Sequence, residues 1–215
     1  MTLALIVHGG AGTWRPGSDD DALAGIRRAV EAGRAILRQE GSALDAACAS
    51  AVVLEDDPVF NAGTGAVLNF DGFVEFEACV MTSHDKGMGA VSGLQRVKNP
   101  IRVARQVMEM TDHVMLTGDG ALRFARAMGH ADHDPITPAR LADWQDKKAK
   151  LQPVTVARIE DDVAIIASGL TPGQVVVSDG QMRLAPGAEV VVAPPKDASA
   201  APDASGQPMT VRAAP

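Results

Sequence analysis

Tyrosine is absent from this chain, and the other aromatics are scarce, with five Phe and two Trp among 215 residues. That shortage excludes a core built on large aromatic anchors and predicts one of Ala, Val, Leu and Met. A basic surplus is also lacking. Twenty Lys and Arg stand against 27 Asp and Glu, a net charge of -7, so nothing points to nucleic acid or an anionic membrane as partner. No apolar run approaches the ~18 residues needed to cross a bilayer, so no membrane insertion is expected. The first residues, Met1 to Val7, carry no basic leader and run into His8-Gly9-Gly10. They read as a buried central strand rather than a signal peptide, which makes the expected location cytoplasmic. Only two cysteines occur, Cys48 and Cys79, both in apolar segments. Two buried thiols are expected in preference to a disulfide.

What is present is helical and strand periodicity punctuated by glycine. Asp19, Asp20 and Asp21 suit a helix N-terminus, and Leu23, Ile26, Val30, Gly33 and Leu37 follow at helical spacing up to Gly41. Ser42 with Asp45 forms a capping-box-like start to a second helix reaching about Leu54. Asp71-Gly72, between apolar runs at 66–69 and 73–81, signals a hairpin. Strands are expected at 89–97 and 114–117. Asn99-Pro100 reads as the cap and first position of a helix to about Met110. A short helix spans 121–128, and Thr137-Pro138 opens one to about Lys150. After Leu151 the spacing turns strand-like at 154–159, 163–167, 174–177, 181–184 and 188–192, with Pro-Gly and Asp-Gly turns between. Residues 193–215 are Ala- and Pro-rich and are expected to be disordered.

Several motifs occur in fixed order: Val7-His8-Gly9-Gly10-Ala11-Gly12; Ala43-Leu44-Asp45-Ala46; Leu54 to Leu68, including Phe60-Asn61-Ala62-Gly63; Glu77 to Met81; Gly89-Ala90-Val91-Ser92-Gly93; Arg96 to Ile101; and His113 to Gly120. Together, over roughly residues 3–150, they resemble the α-subunit half of the plant-type asparaginase and isoaspartyl peptidase family. These are N-terminal-nucleophile hydrolases, or threonine peptidases. The resemblance implies an α+β fold, part of a layered αββα sandwich, in a precursor that cuts itself before a threonine. The freed threonine hydroxyl needs a base, and its own α-amine, which ordinarily titrates at about 7.7 to 8.0, supplies one. The implied substrates are asparagine and β-aspartyl peptides. Asn61 is the implied neighbour of the nucleophile, and Gly9 and Gly10 form the loop that supports self-cleavage. Read without the resemblance, Asn61 is a turn residue and the glycines a tight strand-to-loop turn. Main-chain carbonyls of Leu54, Glu55, Asp57, Phe60, Ala62 and Thr64 are implied to hold a structural sodium ion, and no organic cofactor is expected. Family members pair as αβ units, so a separate β-half or a homo-oligomer is the implied partner.

Beyond Leu151 the family pattern breaks. Thr155-Val156 matches the start of the family's β-subunit, which makes Thr155 the candidate nucleophile, but Val154 stands where the family has glycine before the cut. The competing reading is a β-branched residue in a strand. Residues 158–215 do not resemble the rest of that subunit. Stretches of 151–192, among them Ile165 to Gly173 and Val175 to Gln181, instead resemble the C-terminal end of periplasmic adaptor subunits of resistance-nodulation-division efflux pumps. The expected organisation is a chimera: an asparaginase α-half over 1–150, a small β segment over 151–192 and a tail over 193–215. Its expected status is a hydrolase inactive alone, an adaptor-like interaction segment, or a fusion remnant. His130-Ala131-Asp132-His133-Asp134 has metal-ligand residue types but reads as a solvated loop, and Gly118-Asp119-Gly120 as a capping turn rather than a phosphate cradle.

Overall fold

The computed structural model describes residues 3–12, 17–149, 154–160, 163–171, 174 and 209–212. It divides into two compact units, Met1–Ala149 and Lys150–Pro215.

In the first unit α1 (Asp19–Arg38) and α2 (Ala43–Asp56) form an antiparallel pair. Small residues let them approach. Gly33 faces α2 so closely that a Cβ there would stand 2.9 Å from the Ala46 carbonyl and 2.7 Å from the Leu5 side chain. The Ser50 hydroxyl donates to the Ala29 carbonyl across the pair at 2.8 Å. At the start of α2 the expected capping box is complete, with Asp45 N–H donating to Ser42 Oγ and Ser42 N–H to the Asp45 carboxylate.

A three-stranded sheet follows, in the order β1 (Phe76–Met81), β2 (Met88–Leu94), β3 (Met115–Thr117). β1 and β2 are antiparallel, and β3 runs parallel to β2. One face carries Phe76, Val80, Val91 and Leu94. It packs on Val103, Ala104 and Val107 of α3 (Pro100–Met110) and on Ala121 and Ala125 of α4 (Gly118–Ala127). This is the core. It is aliphatic apart from Phe76, as the composition implies. The opposite face carries Glu77, Cys79, Met81 and Met115, with Met81 71% and Met115 48% exposed. The unit closes with α5 (Pro138–Ala149), which has no buried residue.

Four expectations are corrected. The N-terminal segment is not a strand in a sheet. Residues 3–10 are extended, with alternate exposure and Ile6 93% exposed, because no described strand lies beside them to form a ladder. Nor do 66–69 and 73–81 make a hairpin ladder. Asn69 closes the turn alone, its carboxamide oxygen accepting the N–H of Asp71 and of Phe73, and Asn69 N–H donates to Phe73 O at 2.7 Å. Asn99 precedes α3 but makes no side-chain cap, since its Nδ2 donates to Asp56 instead. Cys48 is buried and Cys79 exposed, both as free thiols, because Cys79 falls on the open sheet face.

In the second unit, β4 (Thr155–Glu160), β5 (Val163–Ser168) and β6 (Met209–Arg212) form a separate antiparallel sheet in that order. The first two strands stand where the sequence places them. The third, residues 209–212, β-prone in composition, pairs with the free edge of β5. The remaining expected strands at 174–177, 181–184 and 188–192 lie, apart from Gln174, outside the described residues, as does most of the tail.

Candidate active-site cleft

α2 ends at Asp56, and the chain must leave it sharply. Asp57 turns the backbone into extended conformation, its side chain accepts from Val59 N–H, and Arg28 of α1 pairs with it. The loop then returns on itself: Thr64 N–H donates to Glu55 O at 2.7 Å, and Phe60 N–H to Asp57 O at 3.1 Å. Gly63 sits at the crossing with φ +50, where a Cβ would lie 2.7 Å from that of Glu55. Only glycine satisfies both the backbone angle and the space. Phe60 is 2% exposed and plugs the loop against Gly25 and Gly9.

The N-terminal segment meets this loop. Gly10 has φ +110, and its N–H donates to His8 Nδ1 at 3.1 Å. A Cβ on Gly9 would lie 2.8 Å from Ile26 and 3.0 Å from Phe60. Position 9 therefore needs glycine for space and position 10 for its dihedral. Between the two segments lies a cleft of about 750 Å³ whose lining includes Gly9, Gly10, Leu54, Asn61, Ala62 and Arg140. The Asn61 side chain is held across its own loop by Val67 N–H, which donates to Oδ1 at 2.8 Å. The structure thus brings Gly9, Gly10 and Asn61 to one cleft. Thr155 opens β4 in the second unit and is exposed.

Residues 130–148 fasten the cleft loop from outside. Asp132 is bound by Arg96 and Arg126, which hold its carboxyl below the usual carboxylate range. His133 N–H donates to Arg96 O, and its Nε2 lies 3.4 Å from Thr64 Oγ1. His130 Nε2 meets Gln106 at 2.7 Å, and burial lowers its pKa. No group of three or more His, Cys, Asp or Glu positioned to hold a metal occurs among the described residues. Gly118 opens α4 at φ +49, the turn the sequence suggests.

Two side-chain roles that matter here are not legible in the sequence, which singles out Glu55 only for its main-chain carbonyl. Arg140 lines the cleft from α5. Glu55, in the last turn of α2, is 6% exposed. Its Oε1 accepts from Ile101 N–H at the start of α3 at 2.9 Å, while Oε2 has no partner among the described residues. Burial pushes its pKa up to about 7 against the pull of the Ile101 N–H. The only signal for Glu55 is its place one turn before the glycine loop. Arg140 gives none, because its partner lies 75 residues away.

A mixed unit of helices and sheet, with a glycine-walled cleft and an Asn61 loop closed on itself, defines an α+β scaffold, and comparison with known proteins gives its family. The asparaginase family model (Asparaginase_2) matches residues 1–188, so the chain belongs to that family. It is 53% identical over 150 residues to the plant-type L-asparaginase of Pyrococcus abyssi, covering 69% of this chain and 49% of that protein. The Thermococcus kodakarensis plant-type L-asparaginase is 52% identical over 149 residues, 69% and 48% of the two chains. The human isoaspartyl peptidase/L-asparaginase is 48% identical over 130 residues, 60% and 42%. The chain spans about half the length of these relatives. The family match runs past residue 150 and includes Thr155.

Proposed function

We propose that residues 3–149 are the site scaffold of an amidohydrolase acting on L-asparagine and β-aspartyl peptides, and that this 215-residue chain does not turn them over alone. The observation that carries it is the convergence of Gly9, Gly10 and Asn61 on one cleft. In this reading the cleft loop presents Asn61 beside an attacking hydroxyl, where a carboxamide can donate to or orient the reacting group. Gly9 and Gly10 leave backbone free to approach a scissile bond. A threonine hydroxyl activated by its own freed α-amine supplies the attack, after autocatalytic cleavage. Thr155 is this chain's candidate for that residue, with Val154 before it in place of glycine.

The open sheet face, with Cys79, Met81 and Met115, is in this reading one half of an αββα sandwich. Its cover is a separately supplied β-half, or a second copy of the chain. A structural sodium ion fits the loop chemically. The last carbonyls of α2 lack helical donors, its last turn carries no basic residue, and the helix dipole is negative there. Main-chain oxygens of Leu54, Glu55, Asp57, Phe60, Ala62 and Thr64 would hold it. Those of Glu55 and Asp57 each spend one lone pair on a loop hydrogen bond and keep another. When bound, the ion stabilises the loop. No described helix is long and apolar enough to cross a membrane, and the proposed location is cytoplasmic.

The test is hydrolysis of L-asparagine and a β-aspartyl dipeptide. The chain alone should give no turnover above its Thr155→Ala variant. Supplied in trans with the C-terminal half of the Pyrococcus abyssi relative, it should gain activity that Asn61→Ala abolishes. Turnover by the chain alone that depends on Thr155, or complemented activity indifferent to Asn61, would overturn the reading. A second reading is favoured by the separate sheet of the second unit. There, residues 151–192 act as an efflux-adaptor-like interaction segment, and recovery of a membrane pump in a pull-down would support it.

A further inference from the structure

Gly65 is, after Gly63, a second tight point of the cleft loop. Its φ is +92, and a Cβ would lie 2.7 Å from Pro58, so the residue has neither side chain nor room for one. Its position is fixed through its backbone alone, and both polar groups are taken by one segment. Gly65 N–H donates to Pro135 O at 3.1 Å, and Gly65 O accepts from Arg140 Nε. The same segment reaches further along the loop. Trp144 Nε1 donates to Asn69 O at 2.9 Å, and Lys148 donates to Phe70 O at 3.4 Å.

The stretch held in this way is the one that carries Asn61. Val67 N–H donates to the Asn61 carboxamide oxygen, and Ala66 N–H donates to Gly63 O, so residues 61–67 form a ring closed through the Asn61 side chain. Ties that hold that ring from outside are Glu55 O from α2, Pro135 O, His133 Nε2 on Thr64 Oγ1, and the Arg140 guanidinium. Of these only Arg140 also lines the cleft, with its side chain 16% exposed. A charged donor to a carbonyl makes a stronger hydrogen bond than a neutral one, and partial burial strengthens it again.

We infer that Arg140 is a positioning residue: through the Gly65 carbonyl it fixes the ring that aims Asn61 into the cleft. The role rests on the reading of that cleft as the amidohydrolase site, but the tie itself is testable without turnover. It follows that α5, which places no residue in the buried core, serves the site rather than the core.

The experiment compares the full chain with Arg140→Ala and Arg140→Lys. By amide hydrogen exchange, Arg140→Ala should exchange about tenfold faster over 63–67 while β1, β2 and α3 keep their protection. Lysine, which can still donate to Gly65 O, should restore most of the difference. Exchange unchanged over 63–67, or raised equally across the core, would overturn the inference. In the complemented assay Arg140→Ala should lower kcat about tenfold with KM within about twofold, as for a lost transition-state alignment. A loss confined to KM would make Arg140 a substrate contact and refute positioning. If the complemented chain shows no hydrolysis at all, the amidohydrolase reading fails while the exchange result still decides the tie.

Discussion

Replacing Glu55 by glutamine should flatten the pH dependence of stability. The carboxyl is 6% exposed, one oxygen is bound by Ile101 N–H and the other has no partner among the described residues, so ionisation in place is costly. Its pKa rises from 4.5 to about 7, chiefly by desolvation. The sign follows from proton counts. Between those two values the unfolded chain has released the Glu55 proton while the folded chain keeps it. The unfolded state binds fewer protons, and stability falls as pH rises through this window. At about 1.4 kcal/mol per unit, the full loss is about 3 kcal/mol, complete above about pH 7. Glutamine keeps an oxygen for Ile101 N–H and imitates the protonated acid. Its buried NH₂ carries a cost of about 1–3 kcal/mol that does not vary with pH. The difference in unfolding free energy between Glu55→Gln and the parent should therefore move by about 3 kcal/mol in favour of glutamine from about pH 4.5 to about pH 8. His130, whose pKa burial lowers, acts with the opposite sign but is common to both proteins and cancels. Urea unfolding followed by tryptophan fluorescence at four pH values measures this. Parallel stability curves for the two proteins would refute the argument.

Further outcomes follow from single contacts. Gly63→Ala puts a Cβ on a residue at φ +50 against Glu55, and should destabilise by about 1–3 kcal/mol in thermal unfolding. Ser42→Ala removes a complete capping box and should cost about 1 kcal/mol, read from the urea midpoint. Val107→Ala empties a fully buried site between α3 and the sheet, and a loss of about 2 kcal/mol is expected by the same measurement. Exchanging sodium for a bulky organic cation should lower the melting temperature; with sodium at a hundredfold excess over its dissociation constant the stabilisation lost is about 3 kcal/mol. An unchanged melting temperature would rule out a stabilising role for the ion.

What local sequence can reveal tracks what local interactions decide. The capping box at Ser42 and Asp45, the helix following Pro100 and the turn at Asp71-Gly72 are settled within a few residues, and they stand where expected. Asn99 does not cap α3 because a partner 43 residues away, Asp56, outcompetes the local bond. The N-terminal segment has a strand's alternation, but a strand needs a neighbour, and none is described beside residues 3–10. Cys79 lies outside rather than inside because strand composition does not say which face is covered. At the cleft, Gly9, Gly10 and Asn61 are legible as motifs. Arg140 and the burial of Glu55 depend on α5 and α3 folding back on the loop, which no local pattern encodes.

In the proposed reading, residues 3–149 build a site for an attacking threonine which this chain does not by itself deliver. Intact-mass analysis with N-terminal sequencing of the purified protein tests that claim most directly. One uncut species should be found. A second fragment beginning with Thr155 and a free amine would contradict it.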